Sequence, residues 1–307
     1  MSISHYQDTE PHYRGRFAPS PTGLLHFGSL VTAVGSYLQA KSQQGEWLLR
    51  IDDIDPPREQ KGAAENILTT LEAFGFEWDG QVIYQSRNQL HYREAISQLC
   101  KQELAYPCSC SRAQIMKLNL SNENKHIYPG SCRNGVVSAC SEPSIRLRTN
   151  PQQIEFIDMI QGKQSINLEK SQGDFILQRR DGYFSYHLAS GIDDAEQGIT
   201  EVVRGSDLLD CTPSQLHVQN SLHLDNPKYC HLPIVVNNTG QKLSKQSHAK
   251  PIKPENAIPL LYQSLAFLGQ VPPSELLEAS INETWQWAIS HWQLKCVPAQ
   301  NRQIVAN

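Results

Sequence analysis

Pro19-Ser20-Pro21-Thr22-Gly23-Leu24-Leu25-His26-Phe27-Gly28-Ser29 is the stretch on which the reading of this fold turns. Residues 13–18 before it read as a strand. Residues 29–41 behind it place Leu30, Val34, Tyr37 and Leu38 at helical spacing. Proline and glycine punctuate the join, so the chain passes from strand to helix through a loop. In an open α/β sheet, ligands bind at such a junction, outside the carboxyl end of a strand. The helix N-terminus favours negative charge, and Gly28 admits a ligand close to the backbone. His26 has a ring N–H to offer a phosphate oxygen.

The neighbouring segments extend the pattern. Residues 47–51 read as a short apolar strand, 58–74 as a helix ended by Gly75, 82–84 as a strand and 90–104 as a helix. This β-α-β-α order predicts an α/β fold with a doubly wound parallel sheet. The rhythm breaks over residues 105–171, where cysteine, glycine and asparagine dominate and 144–148 read as a strand. It resumes with strands at 175–179, 200–203 and 233–236 and a helix at 212–222. Residues after Pro254 read as helical, most clearly 257–268. The expected organisation is a first half of the catalytic domain (1–104), an insertion (105–171), a second half (172–250) and a short helical C-terminal region (251–307).

Composition bounds the compartment and the partners. The 307 residues are 39% hydrophobic, enough for a sizeable core. Residues 1–13 are polar, with no apolar run of signal-peptide type, and no later run approaches a membrane span. A cytoplasmic, monomeric protein is expected. A net charge of −4 argues against bulk electrostatic binding of nucleic acid and leaves room for a local basic face.

Two further clusters carry chemistry. Gln241-Lys242-Leu243-Ser244-Lys245, after Asn237-Asn238-Thr239-Gly240, offers two ammonium groups and a hydroxyl to a polyphosphate. A lysine there can neutralise charge building on a leaving pyrophosphate. Cys108, Cys110 and Cys132 sit in the loop-rich insertion, where thiolates suit a tetrahedral zinc that staples a segment with little core. Three cysteines need a fourth ligand. His126 is the chemically more usual donor, and Cys140 is a further candidate. Cys100, Cys211, Cys230 and Cys296 read as ordinary thiols.

Together, His26-Phe27-Gly28-Ser29 and Lys242-Leu243-Ser244-Lys245 resemble the two signatures of class I aminoacyl-tRNA synthetases, in the right order. Gly15-Arg16-Phe17-Ala18-Pro19-Ser20-Pro21-Thr22-Gly23, Arg50-Ile51-Asp52-Asp53-Ile54-Asp55, Tyr186-His187-Leu188-Ala189, Asp193-Asp194 and Val203-Arg204-Gly205 resemble the glutamyl-tRNA synthetase core. The resemblance runs from about Arg14 to Lys250. Little sequence follows Lys245, less than the anticodon-binding domains of a full glutamyl enzyme require. With Cys108-Ser109-Cys110 and Tyr128-Pro129-Gly130-Ser131-Cys132, this short form is similar to the glutamyl-Q tRNA(Asp) synthetase family. That family attaches glutamate to queuosine in the anticodon of tRNA(Asp).

The resemblance implies a class I synthetase Rossmann-like catalytic domain with a zinc-binding insertion. It implies ATP, bound with Mg2+, as a substrate held by His26, Gly28, Ser29, Lys242, Ser244 and Lys245. His26 and Lys245 would stabilise the reacting phosphates. L-glutamate would meet Arg16, Ser20, Asp52, Tyr186 and Arg204, with guanidinium groups on its carboxylates and Asp52 on its ammonium. The family usually has Glu where Asp52 stands, and full glutamyl enzymes have Asn where Ser190 stands. One structural Zn2+ per chain would take Cys108, Cys110, Cys132 and, as fourth ligand, Tyr128. The tRNA(Asp) anticodon loop is the expected partner. Two other readings remain: a minimal glutamyl-tRNA synthetase, or a glutamate-activating ligase acting on a small amine or carrier protein. A non-catalytic nucleotide- or RNA-binding paralogue would have no need of His26, Lys245, Arg16 and Arg204.

Overall fold

The computed structural model describes residues 12–118, 127–138, 142–236, 250–300 and 302–304. Lys242, Ser244, Lys245, His126 and Cys140 lie outside the described residues. The first half runs β1 (Arg14–Phe17), α1 (Phe27–Ser42), β2 (Glu46–Ile51), α2 (Ala63–Ala73), β3 (Ile83–Tyr84) and α3 (Gln89–Lys101). The strands pair in parallel in the order β1-β2-β3. The helix expected from residue 58 begins later, at Ala63, because Pro56–Arg58 form a separate 3-10 turn and Gly62 takes a positive φ of 77°.

The middle of the chain runs β4 (Ala105–Cys108), α4 (Arg112–Leu118), β5 (Ser144–Leu147), β6 (Gln153–Asp158), β7 (Gly162–Asn167), α5 (Leu168–Ser171) and β8 (Phe175–Gln178). Here the structure departs from the sequence expectation. β8, read as a return to the parallel pattern, pairs antiparallel with β5 in a sheet ordered β4-β5-β8. The hairpin β6–β7, within the stretch read as an insertion, joins a different sheet through a parallel contact of β6 with β10.

The last part runs α6 (Tyr186–Glu196), β9 (Glu201–Gly205), α7 (Thr212–Ser221), β10 (Lys228–Leu232), β11 (Ile234–Val236), α8 (Ala257–Phe267), α9 (Ile281–His291) and β12 (Arg302–Ile304). The second sheet is ordered β7-β6-β10-β9. It meets the first edge to edge, where the Thr200 N–H donates to the Arg14 carbonyl at 2.9 Å. α1 crosses both, and Gly35 sits so close to Leu232 of β10 that an added Cβ would come within 2.5 Å. The C-terminal helices close the core from the other side of α1. Tyr37, Trp47, Phe76 and Trp285 form one aromatic cluster, and the Trp285 indole N–H donates to the Phe74 carbonyl at 2.9 Å. Truncating a side chain so buried costs about 3–5 kcal/mol.

Candidate active site

The strands deliver their carboxyl ends to a cleft of about 510 Å³. Arg16 reaches it from β1, Ser20 and His26 from the following loop, and Gly28 and Ser29 from the first turn of α1. Tyr186 comes from the start of α6 and Arg204 from β9. His26 is the N-cap of α1, with its Nδ1 accepting the Ser29 N–H at 3.3 Å. That bond leaves the ring proton on Nε2, where it can be donated.

Described residues on either side of the stretch 237–249, which carries Lys242, Ser244 and Lys245, lie at this cleft. Val235 before it lines the cleft. After it, Pro251 bridges to His26, and the Ile252 N–H donates to the Leu25 carbonyl at 3.0 Å.

Arg16 and Arg204 are both 3% exposed, but they are held differently. Arg16 binds Asp194 with two bonds, Nε to Oδ1 at 3.0 Å and Nη2 to Oδ2 at 3.2 Å. Arg50 extends this network, donating from Nε to Asp52 Oδ1 and from Nη1 to Asp194 Oδ1, each at 2.8 Å. Burial alone would raise the pKa of Asp194, but Arg16 and Arg50 outweigh it and hold the value at about 2. At Asp52 burial prevails over Arg50 and lifts the pKa to about 6. Asp52 is 5% exposed, turned to Arg50 and absent from the cleft lining, while its N–H donates to the Pro19 carbonyl at 3.0 Å. It therefore lies behind the loop in an ion pair. Ser190 is buried, with its hydroxyl directed to Asp194 at 3.5 Å.

Arg204 has no carboxylate within ion-pair distance among the described residues. Its Nε donates to His231 Nε2 at 3.0 Å and its Nη1 to the Tyr186 hydroxyl at 3.2 Å. Nη2 faces Gln215 Oε1 at 2.7 Å and Thr212 Oγ1 at 2.8 Å. A buried cation held only by neutral groups beside a cleft suits an anionic ligand. Sequence reasoning assigned no role to Arg50, Asp158, Asp194 or His231. For Arg50 the available signal was a charged residue flanked by Leu49 and Ile51 within an apolar strand.

A second polar cluster lies in the β4-β5 sheet. The sulfurs of Cys108, Cys110 and Cys132 are all within 4.8 Å of one another and buried. The Cys110 and Cys132 sulfurs are 3.6 Å apart. Two thiolates on one tetrahedral zinc stand about 3.8 Å apart, so the spacing fits the ion. Tyr128 reaches the same point, with its hydroxyl 3.3 Å from Cys108 Sγ and 3.8 Å from Cys110 Sγ. Gly173 permits this approach, since at φ 68° a Cβ there would lie 2.3 Å from the Tyr128 carbonyl oxygen. Arg146 stacks over the Tyr128 ring at 3.9 Å and donates to Cys108 Sγ at 3.2 Å. The donor set is compatible with zinc, and it brings together all four residues implied by the resemblance.

Residues 12–257 match the family of class I tRNA synthetases (E and Q), catalytic domain. A glutamyl-Q tRNA(Asp) synthetase of Chromobacterium violaceum is 50% identical over 95% of this chain and 97% of its own length. One of Aromatoleum aromaticum is 48% identical over 95% and 93%. A glutamate tRNA ligase of Elizabethkingia meningosepticum, solved with its amino acid, superposes with a TM-score of 0.78 at 26% identity, covering 95% of this chain and 67% of that one. With a donor-lined cleft at the strand ends and relatives matched over nearly their whole length, the chain belongs to the glutamyl-Q tRNA(Asp) synthetase family of class I aminoacyl-tRNA synthetases.

Proposed function

We propose that the chain activates L-glutamate with ATP and transfers it to queuosine in the anticodon loop of tRNA(Asp). The observation that carries the reading is Arg204, a buried guanidinium at the cleft whose partners among the described residues are neutral. Glutamate supplies the missing carboxylate, and the Tyr186 hydroxyl is placed to donate to the same group. The relatives' name supplies the RNA target.

In the first step the α-carboxylate of glutamate attacks the α-phosphorus of ATP and expels pyrophosphate. Positioning and charge stabilisation carry this chemistry. The His26 Nε2–H and the first turn of α1, with Gly28 and Ser29, meet the phosphates. Lys242, Ser244 and Lys245 supply further donors to the phosphates. Mg2+ bound with ATP would offset phosphate charge. In the second step a hydroxyl of the queuosine cyclopentene diol attacks the glutamyl adenylate and releases AMP. Ser20 meets the glutamate ammonium from the cleft, and Asp52, behind the loop, supplies negative charge toward it. Cys108, Cys110, Cys132 and Tyr128 would hold one zinc, which would staple the insertion at residues 105–171.

The test measures glutamate-dependent ATP–pyrophosphate exchange without tRNA, then charging of tRNA(Asp) in three forms. Queuosine-containing tRNA should accept glutamate, with or without its 3′-terminal adenosine. The same tRNA with guanosine at that anticodon position should accept none. Loss of labelling on removal of the terminal adenosine would overturn the queuosine target in favour of a minimal glutamyl-tRNA synthetase.

A further inference from the structure

Behind Arg204 stands a second pair of buried polar groups. Asp158, at the end of β6, and His231, on β10, both have side chains with 0% exposure. His231 Nδ1 lies 2.6 Å from Asp158 Oδ2, and His231 Nε2 accepts the Arg204 Nε–H at 3.0 Å. A guanidinium can only donate, so His231 must present a lone pair at Nε2 and carry its proton on Nδ1. That Nδ1–H points at Asp158. Burial, the leading influence on His231, lowers its pKa and keeps the ring neutral. The Thr212 hydroxyl, 3.3 Å from Nε2, fits the same tautomer as a second donor.

The other oxygen of Asp158 is occupied. Oδ1 accepts the N–H groups of Gln161 at 2.8 Å, Ile160 at 3.0 Å and His231 at 3.2 Å. The first two bonds tie the carboxylate to the turn between β6 and β7, and the third ties it to β10. We propose that Asp158 and His231 form a positioning relay, which fixes the tautomer that holds Arg204 with its Nη1 edge toward the amino-acid carboxylate. Selection of acid over amide then depends on an aspartate that never touches the substrate. An aspartate bonded directly to Arg204 would compete with that carboxylate. An imidazole placed between them orients the cation and leaves its charge for the ligand.

The inference rests on glutamate being the substrate and is tested separately from it. In Asp158→Asn the three backbone N–H groups keep the amide oxygen at the Oδ1 position and turn the amide NH2 toward His231 Nδ1. That forces the proton to Nε2, against the Arg204 Nε–H. The Michaelis constant for glutamate should rise about 10- to 100-fold. That for ATP should stay within about twofold, and preference for glutamate over glutamine should fall. Nitrogen-15 NMR of histidine-labelled protein should show His231 protonated on Nδ1 in the wild type and on Nε2 in the variant. An unchanged tautomer, or glutamate and ATP constants rising together, would overturn the relay. If Asp158→Asn fails to fold, Thr212→Val, which removes a contact to Arg204 and His231 and leaves Asp158 in place, should shift the glutamate constant alone. A uniform loss there would equally overturn it. Wild-type protein with no glutamate-dependent exchange would instead refute the proposed substrate.

Discussion

Around the amino-acid cleft, Arg16, Arg50, Asp52 and Asp194 answer one another within hydrogen-bond distance. In the cysteine insertion, three thiols and a phenol converge, and Arg146 is the cation recorded against them. Both regions bury polar atoms, yet they meet the cost of burial in different ways. The cleft pairs Arg16 and Arg50 with carboxylates and, among the described residues, leaves Arg204 without one. Among the described residues, the buried cluster around the four donors adds Tyr106 and Ile115 alone, and its donor set is compatible with an added cation. One region is a frame of paired charges that presents Arg204, and the other is a set of donors compatible with a cation.

Removing an internal partner from the frame should have the largest effect. Asp194→Ala leaves Arg16 and Arg50 facing one another, so unfolding in urea should show a loss of about 3–5 kcal/mol. The pH dependence has a definite sign. The folded pKa of Asp194, about 2, lies below the unfolded value, so its contribution is present above that unfolded value and fades as pH falls through about 2. A loss under about 1 kcal/mol would mean that the frame is not held by this ion pair.

Next in size is a contrast between the regions. Arg204→Ala should lower kcat/KM for glutamate about 100-fold, near 2.7 kcal/mol in transition-state binding, with metal content unchanged. Cys132→Ser should lower bound zinc and melting temperature while the Michaelis constant for glutamate moves less than about twofold. Equal effects of both variants on glutamate would show that the two regions are coupled rather than separate.

The smallest effect concerns Asp52. With its pKa lifted to about 6, it is ionised at neutral pH and protonated below. If it holds the glutamate ammonium from behind the loop, the Michaelis constant for glutamate should rise about 10-fold between pH 7 and pH 5. Asp52→Asn should flatten that rise. A flat wild-type profile would leave Asp52 as a structural partner of Arg50.

The sequence by itself determined the strand–loop–helix that carries His26 and Gly28 and the spacing of Cys108, Cys110 and Cys132. Both are local: a few adjacent residues set the turn chemistry, the cap and the donor pattern. Only the tertiary structure decided what Asp52 faces, that β8 turns antiparallel, and that the hairpin of β6 and β7 belongs with β10. The sharpest case is the end of β6, where Ile157 is 77% exposed and Asp158 is 2% exposed. Hydropathy along the chain would reverse the two. The carboxylate turns inward because His231 and the backbone N–H groups beyond the strand meet it there. Burial of a charge depends on partners distant in sequence, 73 positions away for His231.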